Sequence, residues 1–124
     1  MRPLLKNKAP ELLTRIDQAI DGELLSVVMN HPQSFTVELS VQDKNRGYDW
    51  INIAFEIEGV IDAKLVDENK LSHVDLSDGV SLLYEDGVVL LAVGQYKTIE
   101  SAKNAILFLA GTTLKYEERP FKSA

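Results

Sequence analysis

From Phe35 to Val41 and again from Ile51 to Ile57 the chain carries apolar side chains at every second position, and this is the tightest constraint on what it can fold into. Phe35, Val37, Leu39 and Val41 alternate with Thr36, Glu38 and Ser40, while Ile51, Ile53, Phe55 and Ile57 alternate with Asn52, Glu56 and Glu58. A period of two turns one set of side chains toward a core and the other toward solvent, which is the pattern of two half-buried strands. The residues Asp43-Lys44-Asn45-Arg46-Gly47 between them have turn chemistry. Taken as the whole loop, they pair Leu39 with Ile51, Val37 with Ile53 and Phe35 with Phe55, which gathers the large aliphatic residues on one side. On the other side this register sets Trp50 opposite Ser40 and Tyr48 opposite Gln42, among Glu38, Asn52, Glu56 and Glu58.

The stretch that follows reads as a meander. Val60–Val66 has strand composition and Asp67–Lys70 turn composition, and the segments Leu71–Leu76, Val80–Glu85 and Val88–Val93 are separated by Ser77-Asp78-Gly79 and Asp86-Gly87. Both Asp-Gly steps are expected to be hairpin turns with left-handed glycines, the first a three-residue loop and the second a type I′ loop. The second pairs Tyr84 with Val89, Leu82 with Leu91 and Val80 with Val93. Before the strands, Leu12, Leu13, Ile16, Ala19 and Ile20 recur at helical spacing, with Pro10 near the start and Gly22 where a left-handed cap belongs. A helix over 10–21 follows. Thr98 caps a short helix or turn over 98–105, and residues 106–118 have the composition of terminal strands, with Gly111 as a bulge or bend. Pro120 ends the regular structure, and Phe121–Ala124 is expected to be loose unless Phe121 docks.

These elements predict one α+β domain over 1–124, predominantly β: an N-terminal helix packed on an antiparallel meander sheet or small β-sandwich, with strands and hairpins over 23–93. A chain of 124 residues without cysteine is long enough to build a core with no disulfide or structural metal. No apolar run is longer than the six residues of Val88 to Val93, too short for a membrane-spanning helix. Leu4-Leu5, between Arg2 and Lys6, is no secretory signal core, so a cytoplasmic location is expected.

Charge narrows the partners. The chain has 13 Lys plus Arg against 19 Asp plus Glu, a net charge of −6, yet the first 16 residues are basic and the acids concentrate between Asp49 and Asp86. No run of cations longer than Lys6-Asn7-Lys8 is present to neutralise phosphates, which argues against nucleic acid.

Few residues can support catalysis. Only His31 and His73 offer an imidazole, and His31 precedes Pro32 in a turn-like stretch. His73, Asp75, Ser81 and Glu85 would share one strand face if the first Asp-Gly hairpin forms, but no nucleophile turn or oxyanion donor accompanies them. The segment Asp75-Leu76-Ser77-Asp78-Gly79 fails as a calcium loop, because Val74 and Leu76 fall where the first and third ligands are needed. Glu56 and Glu58 share a strand face as glycosidase carboxylates do, without a visible cleft beside them. No catalytic residue, metal site or cofactor is therefore expected.

The residues left over are Tyr48 and Trp50, two aromatics on a polar face. Side chains of this kind are concentrated at protein interfaces, and acidic neighbours suit a basic partner. The sequence is read as a small acidic protein-binding module, such as an inhibitor, an immunity-type protein or an adaptor. Its contact residues are expected at Tyr48, Asp49, Trp50, Glu56 and Glu58, and its partner is another protein, a basic one fitting best. A structural or homo-oligomer-forming β domain is the alternative, ahead of a small-molecule binder or an enzyme of unrecognised chemistry.

Overall fold

The computed structural model describes residues 1–121. Among these residues, nine strands form two antiparallel sheets. The first holds β1 (Arg2–Pro3), β2 (Glu23–His31), β3 (Ser34–Asp43), β4 (Asp49–Glu58) and β9 (Thr113–Arg119) in the order β1-β9-β4-β3-β2; the second holds β5 (Asp62–Lys64), β6 (Val80–Glu85), β7 (Val88–Val93) and β8 (Phe108–Gly111) in the order β5-β8-β7-β6. Two short helices, α1 (Ala9–Arg15) and α2 (Ile99–Ala102), accompany them. The chain is thus predominantly β, with few helical residues, in the α+β class expected.

The alternating residues do what their period requires. Phe35, Val37, Leu39, Val41, Ile51, Ile53, Phe55 and Ile57 are all buried, in one cluster with Leu82, Val89, Leu91 and Leu109 of the second sheet. Ala9, Leu12 and Ile16 are buried in the same cluster. Tyr84 sits at its margin, where burial pushes the phenol up to about 12, and its hydroxyl donates to the Leu4 carbonyl at 2.7 Å. The β6–β7 register is as predicted: Tyr84 pairs with Val89, Leu82 with Leu91 and Val80 with Val93. Asp86 and Gly87 both have positive φ, as a type I′ loop demands.

Several expectations need correction. The β3–β4 register is displaced by two residues, pairing Leu39 with Ile53, Val37 with Phe55 and Gln42 with Trp50. The loop is Lys44–Tyr48, not Asp43–Gly47: the Asp43 carboxylate accepts from the Asn45 amide, a 3-10 turn follows, and Gly47 and Tyr48 are both left-handed before the ladder resumes at Asp49. A displacement of two keeps every side chain on its face, so the same residues face the core in either register.

The N-terminal helix stops at Arg15, well short of residue 21. Asp17, Gln18 and Ala19 have φ of 55°, 56° and 59°, a left-handed turn that reverses the chain and leaves Ile20 exposed. Gly22 is not its cap. A Cβ there would lie 2.6 Å from the Ser40 carbonyl, so this glycine lets the turn lie against β3.

No strand forms over Leu71–Leu76. Glu68–His73 is a 3-10 turn, and Gly79, although left-handed as predicted, closes a turn onto the Leu76 carbonyl instead of a hairpin. The expected Val60–Val66 strand shortens to β5. Between residues 98 and 118 the reading is closer. Thr98 and Ser101 form a reciprocal capping box on α2, and Gly111 ends β8 where a Cβ would strike the Glu58 carbonyl at 2.6 Å. Past that point Thr112 carries the chain from the second sheet into β9 of the first.

Candidate partner-binding face

The five-stranded sheet turns its even-numbered residues on β3 and β4 away from the core. At one end of this face, Trp50 is 40% exposed and lies beside Phe121, itself 47% exposed, with ring centroids 6.2 Å apart and planes inclined by 39°. The geometry is that of a tilted aromatic pair. Of the tail expected to be loose unless Phe121 docks, Phe121 does meet Trp50; Lys122, Ser123 and Ala124 lie outside the described residues. Tyr48, 52% exposed, is not opposite Gln42 in the ladder: it ends the loop, and its carbonyl accepts from the Gln42 amide at 3.3 Å. Asp49 begins β4 and is exposed.

Glu56 and Glu58 are on the same face of β4 as Trp50, six and eight residues further along. At a strand's rise of about 3.3 Å per residue they are separated from it by about 20 Å and about 26 Å. The sequence-predicted contact residues therefore form two groups, an aromatic end of Tyr48, Asp49 and Trp50 and a carboxylate end of Glu56 and Glu58. Lys115 pairs opposite Glu56 in the ladder and places its ammonium 3.7 Å from Glu58. The Glu58 carboxylate pushes the Glu56 carboxyl up, desolvation adds to this, and Lys115 opposes it.

Between the two ends lies a polar layer that alternation does not reveal. Ser40 and Asn52 sit at solvent-face positions but are buried, Asn52 to 1% exposure. The Ser40 hydroxyl donates to the Asn52 side-chain oxygen at 2.6 Å, and the Asn52 amide reaches Glu38 at 3.4 Å. Arg119 of β9 donates to Glu38 at 2.9 Å and to Glu117 at 2.7 Å. Those carboxylates hold the guanidinium ionised, and Arg119 in turn draws the Glu117 carboxyl below its ordinary value. The only hint in the sequence is an arginine two residues after an acid near the chain's end, a pattern too common to single out.

A second charged cluster faces inward. Asp43, whose side chain has no exposed surface, is held bidentately by Arg15 at 3.0 and 2.6 Å, and Arg15 also donates to Glu118. Arg46 approaches Asp43 at 3.5 Å and Glu118 at 3.6 Å. Arg15 holds the Asp43 carboxyl below the usual carboxylate range. With both acids matched by guanidinium groups, this cluster ties α1 to the β3–β4 loop and β9 and leaves no lone base for catalysis.

The other sequence candidates do not converge. His31 ends β2 beside the Pro32-Gln33 turn, and His73 closes the 3-10 turn. Asp75 accepts from the amide and hydroxyl of Ser77, while the Ser81 hydroxyl accepts from the Tyr96 amide and donates to the Gly94 carbonyl. Without the Leu71–Leu76 strand, the shared face of His73, Asp75, Ser81 and Glu85 does not exist. Among the described residues no three His, Asp or Glu side chains converge as metal ligands, and no helix is long and apolar enough to cross a membrane. Comparison with protein-family models, with characterised proteins and with solved structures finds no match to this chain, so its function is read from the geometry of this face.

Proposed function

We propose that this chain is a protein-binding module of the cytoplasm, an inhibitor, immunity-type protein or adaptor, that holds its partner through the aromatic end of the five-stranded sheet. The observation that carries this reading is the exposed Trp50–Phe121 pair with Tyr48 close by in sequence. Large aromatic side chains left half in water at one end of a sheet are the residues that anchor interfaces when a partner removes that water. In this reading α1 packs against the sheets and does not cover Trp50.

The carboxylate end, about 20 Å away, supplies the long-range field that draws a basic partner in. The two ends then have separate kinetic signatures. Trp50→Ala is expected to raise the dissociation rate about 30-fold, as for loss of an anchor worth about 2 kcal/mol. Glu56→Gln with Glu58→Gln is expected to slow association and flatten its salt dependence. Surface-immobilised domain exposed to a captured basic partner measures both rates; equal rates for wild type and Trp50→Ala would remove the aromatic end from the interface.

A further inference from the structure

The two sheets have four edge strands, and three of them are blunted. β1 is two residues long and contains Pro3; β5 is three residues long and carries Asp62 and Lys64. β6 is longer, but the Gln95 side chain donates to the Val80 carbonyl at 3.1 Å, and Ser81 is tied to Gly94 and Tyr96. Short length, proline, charge and a capped backbone are the ordinary ways in which sheets avoid adding further strands.

The fourth edge, β2, is different. It spans nine residues, and from Leu24 to Asn30 it contains neither charge nor proline. It ends its sheet with β3 as its one ladder partner, and no turn or loop backbone bonds to Glu23–Asn30 among the described residues. Register shifts at Leu24/Ser26 and Met29/His31 leave Ser26–Met29 as a regular stretch, and Val28 and Met29 within it are exposed.

Along the same strand runs an open groove of about 830 Å³ between residues 21–28 and 68–77. Leu71 and Val74 contribute apolar wall, and Asp21, Glu23, Glu68 and Asp75 line it with carboxylates. No Lys or Arg lines it, and none of the four carboxylates forms an ion pair among the described residues. The Glu68–His73 turn packs against β2 but makes no backbone hydrogen bond to it, so the edge keeps its main-chain groups for a partner while the groove offers negative charge.

We propose that β2 is a strand-addition site, which takes an extended, lysine- or arginine-bearing segment of another protein as a sixth strand of the sheet along Ser26–Met29. Main-chain pairing supplies the affinity, and the groove carboxylates select basic side chains on the segment. A second copy of this chain is a poorer occupant, because self-pairing brings two such acidic grooves side by side in a protein of net charge −6. This site is separate from the Trp50 end and does not depend on it.

The test is a titration of the 15N-labelled protein, followed by amide shifts and exchange, with three synthetic octapeptides. One alternates threonine and lysine, one alternates threonine and glutamate, and the third is the threonine–lysine peptide with every backbone nitrogen methylated. The expected result is that the threonine–lysine peptide alone shifts the Ser26–Met29 amides and slows their exchange. Glu23→Gln with Glu68→Gln should weaken that binding about threefold or more, and Trp50→Ala should leave it unchanged.

Absence of a β2 shift with the threonine–lysine peptide overturns the proposal, as does equal binding of the methylated peptide, which would show attraction by charge without strand pairing. Protection of the same amides in the peptide-free protein, rising with concentration as it dimerises, overturns it in favour of self-association. Because Trp50 fluorescence in the same titration reports on the aromatic end, failure of this site is distinguishable from failure of the other.

Discussion

The two sheets treat their outer faces in opposite ways. Beyond the shared core, the four-stranded sheet buries its second face as well: Leu90, Ala92, Phe108 and Ala110 form a cluster with Ala102 and Ala105, flanked by Tyr96 and Ile99. The five-stranded sheet leaves its second face to Glu38, Glu56, Lys115 and Arg119, with Ser40 and Asn52 beneath. The cause is visible strand by strand. Val88–Val93 is apolar at both parities, so either face left in water would cost hydrophobic burial, and the 94–107 segment covers it. β3 is apolar at one parity only and β4 adds just Trp50 and Ala54 at the other, so little on that face needs covering. A covered face stabilises, and an open one is available to a partner.

That contrast can be broken most sharply by truncation. Leu90→Ala, on the covered face, is expected to cost about 2 to 5 kcal/mol, comparable to Phe55→Ala in the shared core, whereas Thr36→Ala on the open face should stay within about 0.5 kcal/mol. Urea unfolding of the three variants checks this. A Leu90→Ala loss as small as that of Thr36→Ala would mean that the second face is not a core.

A smaller effect separates the two arginine clusters of the five-stranded sheet. Arg15→Ala leaves the enclosed Asp43 without its bidentate partner and should cost about 2 to 3 kcal/mol, while Arg119→Ala on the open face should cost less than about 1 kcal/mol. The pH dependence has a definite sign. Because Arg15 lowers the Asp43 carboxyl in the folded protein, its contribution is fully present above the unfolded value of about 3.9 and is lost as pH falls through the lower folded value. Glu56 runs the other way, since its carboxyl is raised in the folded state and protonation relieves repulsion with Glu58. Asp43→Asn should therefore flatten the acid limb of the stability–pH curve, and Glu56→Gln should raise stability slightly at neutral pH.

The last comparison sets two left-handed glycines against each other, Gly87 in the β6–β7 hairpin and Gly79 in the turn onto Leu76. Gly87→Val should cost about 1 to 2 kcal/mol because a β-branched residue has no comfortable left-handed conformation, with no clash to add, since nothing lies within 4 Å of its Cβ position. Gly79→Val should cost more than Gly87→Val, as its Cβ would come within 2.1 Å of the Gln18 carbonyl. Thermal melts of both variants order the two losses.

By itself the sequence determined what a few neighbouring residues can decide. The alternation of Phe35–Val41 and Ile51–Ile57, the Asp86-Gly87 turn with its register and the Thr98 cap are all set by local periodicity and backbone preference, and each is found in the structure. The doubly apolar Val88–Val93 run forms a strand buried on both faces. Tertiary contact decided the rest. Three left-handed non-glycine residues at Asp17–Ala19 oppose local preference, and they occur where Gly79 and Gly22 permit close approach from Gln18 and β3. The capped loop after Asp43, with Arg15 on its carboxylate, moved the β3–β4 register by two residues. Which strand edge stays open, and which aromatic Phe121 meets, depend on residues far apart in the chain. Local chemistry selects among conformations of a segment, but only the packed neighbours determine which groups remain in water.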